Sequence, residues 1–328
     1  LAFAKRPRLG AWITVCCLLV VIAASAAFGQ TGARETTGHF TWWLPEDVST
    51  HGHEIDALFN VVLWLTGVAF VAVTATMLIF LWRYRHRPGR RAKFIHGNNR
   101  LETVWTLIPT VIMALVAAFS QSVWVSAKYA SAMPSGEDVV NIEIIGKQFK
   151  WYFHYPGADG IMGRRDPQLI TLNSSDPAEV IGLDRSDPDC KDDIAVLGTL
   201  VVPVGRPVRA QISSVDVLHS FWLPNFRVKQ DTVPGLRTEI WFEATKTSGQ
   251  VIGRDPANPL TIVDEENNYQ RVAITDAKPF DIVCAELCGQ GHYTMRGLMY
   301  VVTEAQYEQY MGVARNNRAL ALEYEEEE

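Results

Sequence analysis

ALFNVVLWLTGVAFVAVTATMLIFLW, residues 57–82, and TVWTLIPTVIMALVAAFSQSVWVSA, residues 103–127, flank RYRHRPGRRAKFIHGNNRLE, residues 83–102. The flanking stretches hold 26 and 25 residues and no charge. About 20 apolar residues let a helix cross the roughly 30 Å of a bilayer core. Each stretch therefore reads as a transmembrane helix rather than a buried core helix. Pro109 falls in the first turns of the second one, where a helix tolerates proline best. Between them stand Arg83, Arg85, Arg87, Arg90, Arg91, Lys93 and Arg100, seven basic residues with no acid before Glu102. The positive-inside rule places this loop in the cytoplasm. Both outer ends of the hairpin, and residues 128–328 with them, then face the extracytoplasmic side. Trp82, Trp105 and Trp124 sit near the expected interfaces, where belt aromatics belong.

The charge distribution agrees. Residues 1–127 carry 11 Lys and Arg against 6 Asp and Glu, and residues 128–328 carry 19 against 30. A basic anchor joined to an acidic solvated domain argues against nucleic acid as a partner. Upstream, Lys5, Arg6 and Arg8 precede an apolar run that closes on Ala24-Ser25-Ala26-Ala27. Residues 1–28 read as a secretory signal, the alternative being a retained first helix. Residues 29–56 follow as an extracytoplasmic segment, and 57–127 form the hairpin with its cytoplasmic loop, 83–102.

Beyond the hairpin the period changes. Val139–Gly146, Lys147–Tyr155, Thr199–Val204, Pro207–Ser213, Arg237–Ala244, Arg271–Thr275, Pro279–Cys284 and Gly297–Thr303 are short, β-branched or aromatic runs separated by Gly, Pro and Asp clusters. That spacing predicts an all-β sandwich over residues 128–312. Residues 155–197, with Gly157, Gly160, Gly163 and three Asp-Pro steps, read as a long surface loop or insertion that contains Cys190. Glu304–Leu322 suits a terminal helix. Residues 313–328 form an acidic tail that frays at Glu323–Glu328.

Cys284-Ala-Glu-Leu-Cys288-Gly-Gln-Gly-His292-Tyr-Thr-Met295 carries the chemistry. Two thiols, an imidazole and a thioether within one short loop favour copper over hard cations. A simple blue-copper loop needs a single Cys. A second thiolate facing the metal can bridge two copper ions. Zinc gains little from a thioether, and a Cys284–Cys288 disulfide or thiol exchange stays open in an oxidising compartment. A remote histidine is missing from this set, and His219, in Asp216-Val-Leu-His219-Ser-Phe-Trp-Leu-Pro224 at the end of a strand, is the candidate. His39, His51, His53, His86, His96 and His154 read as solvated or structural. Glu102 suits a helix N-terminal acid favoured by the dipole, and also suits the mouth of a proton path.

These motifs resemble subunit II of the haem–copper cytochrome c oxidases over about residues 50–312. The matches are Leu101-Glu-Thr-Val-Trp-Thr-Leu-Ile-Pro109, Asp216–Phe221 with Leu223–Gly235, and Cys284–Met295. The resemblance implies a two-helix transmembrane hairpin plus an all-β cupredoxin-like Greek-key sandwich, in a bacterial-type plasma membrane. It implies a dinuclear copper centre, CuA, with Cys284 and Cys288 as bridging thiolates and His219 and His292 as terminal imidazoles. Met295 and the carbonyl of Glu286 complete it. It further implies Mg or Mn held by the Glu286 side chain at the seam with subunit I, and a proton-channel entrance at Glu102. Asp216 and Asp231 would support the ligands or touch subunit I. The implied partners are subunits I and III, membrane lipid, and cytochrome c or another haem-bearing donor. Electrons would pass inward to haem in subunit I, where oxygen is reduced and protons are pumped.

The resemblance departs at Gly146-Lys-Gln-Phe-Lys-Trp-Tyr-Phe-His-Tyr155. Phe149 stands where the family has its electron-accepting tryptophan, and Lys150 interrupts the aromatics. Trp151 is the replacement expected here, with Phe149 beside it. No Cys-x-x-Cys-His occurs, so the chain carries no c-type haem motif. A quinol oxidase subunit would lack these copper ligands. A tethered copper carrier would need neither the second helix nor Glu102.

Overall fold

Both uncharged stretches are helical, α1 over Gly52–Arg83 and α2 over Asn99–Lys128. The structure is a computed structural model describing residues 44–91, 94, 96–129, 132–136, 138–249 and 279–326, with side chains up to 315. The expected signal sequence, His39 and the expected strand Arg271–Thr275 lie outside the described residues. Leu58–Val116 belong to one unit, and the outer helix ends belong with the β domain in a second.

Within the first unit, Val61, Trp64 and Val68 of α1 and Ile112 and Leu115 of α2 line a shared groove. Phe70, Val73, Leu81 and many other apolar side chains on the two helices are exposed. An apolar surface of that extent requires lipid or protein cover. The helix ends at the basic loop are finished locally. The Arg90 guanidinium donates to the Arg83 carbonyl, left over at the C-terminus of α1. The Asn98 side chain accepts from the N–H groups of Arg100 and Leu101 and caps α2.

Among the described residues the second unit is a sandwich of two five-stranded sheets. Its strands are β1 (Val140–Lys147), β2 (Lys150–Tyr155), β3 (Ile194–Leu197), β4 (Thr199–Pro203), β5 (Pro207–Ser214), β6 (His219–Leu223), β7 (Val228–Thr232), β8 (Thr238–Glu243), β9 (Phe280–Cys284) and β10 (Arg296–Val302). One sheet has the order β3-β2-β1-β5-β8 and the other β4-β10-β9-β6-β7. The pairs β1–β5 and β4–β10 are parallel, so the chain crosses between sheets instead of running as a meander. β5 alternates buried and half-exposed residues along its length, as a strand with one core face should. Ile142, Ile144, Trp151, Phe153, Phe221, Phe242, Phe280 and Ile282 meet in the core between the sheets.

β1 does not alternate. Its residues Ile142 to Ile145 are all buried, because the insertion covers its outer face. Residues 155–197 are not a bare loop. They contain the short helix α3 (Pro177–Ile181) and strand β3. Ala178, Val180, Ile181, Leu183 and Cys190 form a second core against Ile145 and Tyr152. His154 fastens this layer. Its Nδ1 lies 2.8 Å from Glu143 Oε2 on β1, and its Nε2 lies 2.6 Å from Asp193 Oδ2 in the insertion. Burial works to lower the His154 pKa, but the two carboxylates outweigh it and hold the imidazolium above the usual histidine range. Cys190 is enclosed here, its thiol pushed up to about 11 by burial and then by Asp193 and Asp187.

The terminal helix α4 (Glu304–Glu326) seats Tyr307, Tyr310 and Met311 on the sandwich. It continues through residues 323–326, which the acidic composition had assigned to a frayed tail.

Candidate metal centre

His219 opens β6 rather than ending a strand, and Cys284 ends β9, the strand beside it. The register sets Phe221 opposite Cys284. The histidine and the first thiol therefore arrive at one end of the sheet from opposite chain directions. Past Cys284 the chain curls through Cys288, and a 3-10 turn over His292–Thr294 returns it to β10 at Met295. Gly289 lies in the left-handed region at φ 130°, and a Cβ there would come within 2.9 Å of Gln148 Nε2. Only glycine suits that point of the curl.

The curl brings the soft donors together. Cys284 Sγ lies 3.9 Å from Cys288 Sγ. Cys288 Sγ is 3.6 Å from His292 Nδ1 and 3.8 Å from Met295 Sδ. The Cys284 thiol approaches the Glu286 carbonyl at 3.2 Å, while the Glu286 side chain is exposed. Both cysteines are free thiols. One ring nitrogen of His219 and the two sulfurs lie within 4.8 Å of one another, the one such group among the described residues.

The protonation pattern of His219 identifies the direction in which it works. Its Nε2 is 2.9 Å from Asp216 Oδ1. Its Nδ1 is buried and has no hydrogen-bond partner. A carboxylate on Nε2 keeps a proton there, so Nδ1 is the nitrogen that would face a metal once its own proton is displaced, the usual arrangement of a metal-ligating histidine. A buried nitrogen with nothing to bond is costly, and an ion among these donors removes that cost. Two thiols, two imidazoles, a thioether and a carbonyl are a soft donor set that fits copper.

Surrounding residues hold this arrangement. Asp216 Oδ2 accepts the Gln148 N–H at 2.8 Å, and its Oδ1 accepts the Val217 N–H at 2.7 Å. Gln148 Nε2 donates to the Cys288 carbonyl at 2.6 Å. Gln148 thus joins the β1–β2 hairpin tip to both ligand segments. Ser220 Oγ donates to Asp231 Oδ1 at 2.7 Å across the β6–β7 pair. Gly146 leaves room for the imidazole, since a Cβ there would stand 2.8 Å from His219 Cδ2. The Gly146-Lys-Gln148 pattern was visible in the sequence, but nothing local assigned it these two tasks.

Electrostatics prepare the first thiol. Burial opposes ionisation of Cys284, yet His219 and neighbouring backbone donors outweigh it and bring the thiol down to about 6. Burial and the charge on Cys284 push Cys288 up to about 11. His219 is held up at about 9, with burial opposing and Asp216 and Cys284 prevailing. A metal entering this pocket displaces the remaining protons, so its uptake is coupled to pH.

The aromatics of the hairpin divide. Trp151 is fully buried, 6.1 Å from His219 ring to ring in an edge-on contact, with an unpartnered indole N–H. Phe149 is half-buried at the hairpin tip, directly against Gly289 and Gly291 of the ligand loop. Glu102 is exposed in the first turn of α2, away from the ligand cluster in sequence and in unit.

Comparison with known proteins gives a consistent result. Residues 38–123 match the family described as cytochrome c oxidase subunit II, transmembrane domain, and residues 140–254 match its periplasmic domain. The alternative cytochrome c oxidase subunit 2 of Bradyrhizobium diazoefficiens is 32% identical over 82% of this chain and 83% of its own length. Cytochrome c oxidase subunit 2 of Thermostichus vulcanus is 28% identical over 87% of this chain and 81% of its own. The crystal structure of the periplasmic domain of subunit II from Bradyrhizobium japonicum aligns with 25% identity and a TM-score of 0.33, covering 56% of this chain and 98% of that one. Two long apolar helices and the match to a periplasmic domain make this a membrane-anchored protein whose C-terminal domain is extracytoplasmic. The chain belongs to the cytochrome c oxidase subunit II family and is a component of that oxidase.

Proposed function

We propose that this chain is the electron-accepting subunit of a respiratory oxidase. It takes electrons one at a time from cytochrome c or another haem-bearing donor, holds them at a dinuclear CuA centre, and passes them to haem in subunit I. Reduction of oxygen to water and proton pumping take place there. The observation that carries this reading is His219, its Nδ1 buried and unpartnered, with its ring beside two free thiols. Bound there, a copper pair supplies one-electron chemistry with the charge spread over two metals, so that little nuclear rearrangement accompanies transfer.

The chain's own residues do the rest. Cys284 and Cys288 would hold the pair through their thiolates, with the imidazoles of His219 and His292, the Met295 thioether and the Glu286 carbonyl as the further donors. Asp216 keeps the proton on the outer nitrogen of His219, and the sheet holds the ligands rigidly, as a precise site requires. The exposed Glu286 side chain is free to take a Mg or Mn ion at the seam with subunit I. Phe149, half-buried at the hairpin tip, and Trp151, buried and edge-on to His219, form the electron inlet. Glu102 receives protons at the cytoplasmic mouth of a channel into subunit I, and subunit III and lipid complete the surroundings.

The test is copper content together with the electron paramagnetic resonance spectrum of the full chain in detergent. Two coppers sharing one unpaired electron support the reading. One copper with a localised electron indicates a blue-copper carrier, and a Cys284–Cys288 disulfide without copper overturns the site. Phe149→Ala and Trp151→Ala test the inlet, which fails if donor oxidation is unchanged in both with the copper spectrum intact. Glu102→Gln should slow oxygen consumption without altering that spectrum.

A further inference from the structure

Arg227 lies in the turn between β6 and β7 at φ 57°, the one non-glycine residue with positive φ among the described residues. A side chain with a Cβ is sterically disfavoured there. Such an outlier persists only where the surroundings over-determine it, and here they do. The guanidinium is nearly buried, its side chain 8% exposed. Nε and Nη2 grip the two carboxylate oxygens of Asp56 at 2.7 and 2.9 Å. Nη2 also reaches the Pro45 carbonyl at 2.7 Å, and Nη1 the Pro224 carbonyl at 2.7 Å. Asp56 belongs to the outer turns of α1.

The second helix is tied to the same hairpin. Lys128, the last residue of α2, donates to Gln230 Oε1 of β7 at 3.1 Å. Ser126 Oγ of α2 donates to Glu54 Oε2 of α1 at 3.2 Å, joining the two helix ends. The other end of β6 carries His219. One short hairpin therefore bears His219 at one end, the outer turns of α1 at its turn, and the last residue of α2 midway along β7. A bidentate guanidinium–carboxylate pair fixes distance and angle together, which a lysine in its place does not.

We infer that the Arg227–Asp56 clamp is a positioning device that holds the His219 strand against the outer turns of the two long helices, and thereby sets how readily an electron leaves the copper centre for the haem. The inference rests on the proposed function, because it presumes that electrons leave by this route. In the step concerned, one electron leaves the reduced centre, which is oxidised, and the haem iron is reduced, with no bond made or broken.

The experiment has two arms. In the copper-free full chain in detergent, amide hydrogen exchange is followed over residues 52–57. In the purified oxidase, electron transfer from the copper centre to haem is timed after rapid reduction and normalised to haem. The variants are Arg227→Gly, which keeps the left-handed backbone without strain, Asp56→Asn, their combination, and Arg227→Lys. Exchange over 52–57 should rise by about tenfold in Arg227→Gly, the response to losing a local opening free energy of about 1.4 kcal/mol. Transfer should slow by about tenfold, within the range that a sub-ångström displacement produces. The two-copper spectrum and the rate of donor oxidation should not move. The combined variant should be no worse than Arg227→Gly, and Arg227→Lys should restore little. Unchanged exchange overturns the clamp, and unchanged transfer with raised exchange overturns its positioning role, as does slower transfer that appears only with an altered copper spectrum. Absence of the two-copper spectrum in the unmodified chain would instead remove the proposed function and leave the exchange result standing.

Discussion

His154 and His219 are both fully shielded from solvent, and each meets a carboxylate. At His154 both ring nitrogens are taken, one by Glu143 and one by Asp193. At His219 only Nε2 is taken, and Nδ1 is left without a partner next to two thiols. Burial and charge alone do not separate the two sites, but the count of occupied ring nitrogens does. A histidine with both nitrogens bonded has finished its work inside the protein. A buried histidine with one nitrogen idle is prepared for something the protein does not supply.

The comparison can be broken most severely at the metal. His219→Ala should abolish the two-copper resonance spectrum, whereas His154→Ala should leave copper stoichiometry and spectrum intact in whatever fraction folds. On stability the order reverses. His154→Ala removes the imidazolium between two buried carboxylates, leaving Glu143 with Arg165 and Arg237 and Asp193 with the N–H groups of Gly157 and Gly163, and should destabilise the copper-free protein by about 3 kcal/mol in denaturant titration. His219→Leu in the same copper-free state removes an unsatisfied nitrogen and should cost clearly less, which sharpens the contrast without reference to metal.

A smaller effect belongs to Asp216. Asp216→Asn keeps the ring in place but no longer fixes its proton, and copper affinity should fall about 10–100-fold in competition with a chelator. An unchanged affinity would mean that the carboxylate only positions the loop.

The mildest effect is a pH limb. The His154 pKa is raised on folding, so its contribution is complete below the unfolded value of about 6.5 and fades as pH rises through the folded value. The Glu143 pKa is lowered: burial opposes this, and His154, Arg165 and Arg237 outweigh it. Its share is complete above its unfolded value and fades as pH falls through the folded one. The contribution of this pair to the stability of the copper-free protein should therefore be greatest in mildly acidic solution and fade toward alkaline pH. In His154→Leu the alkaline decline attributable to this group should vanish. A decline of the same size in the variant would assign it elsewhere.

The membrane hairpin could be read directly from Ala57–Trp82 and Thr103–Ala127, because span length and charge are local properties of a sequence. The metal loop was equally legible, since four of its donors lie within twelve residues. What escaped depends on partners far along the chain. Strands β6 and β7 were not foreseen as a pair, and His219 was placed at the wrong end of its strand. Their hairpin is defined by a 3-10 turn and by ties to residues 45–56, not by its own periodicity. The burial of β1 on both faces escaped for the same reason, because its outer cover comes from residues 178–190. Gln148 could not be assigned a task without seeing that Cys288, 140 residues later, lies beside it.

The insertion also has a bearing on how the chain reaches its final form. β1 must pair in parallel with β5, Val140 opposite Val208, and the whole insertion lies in the loop that this pairing closes. Closing a slack loop costs entropy that grows with its length, and such long-range pairings slow folding. Here the loop is not slack. Arg165 pairs with Leu183, the Asp166 N–H is bonded to the Gly182 carbonyl, and α3 is compact between them. A segment that condenses on itself brings its two ends closer before the strands meet. The residues between β2 and β3 therefore leave less slack to close than their number implies when β1 joins β5.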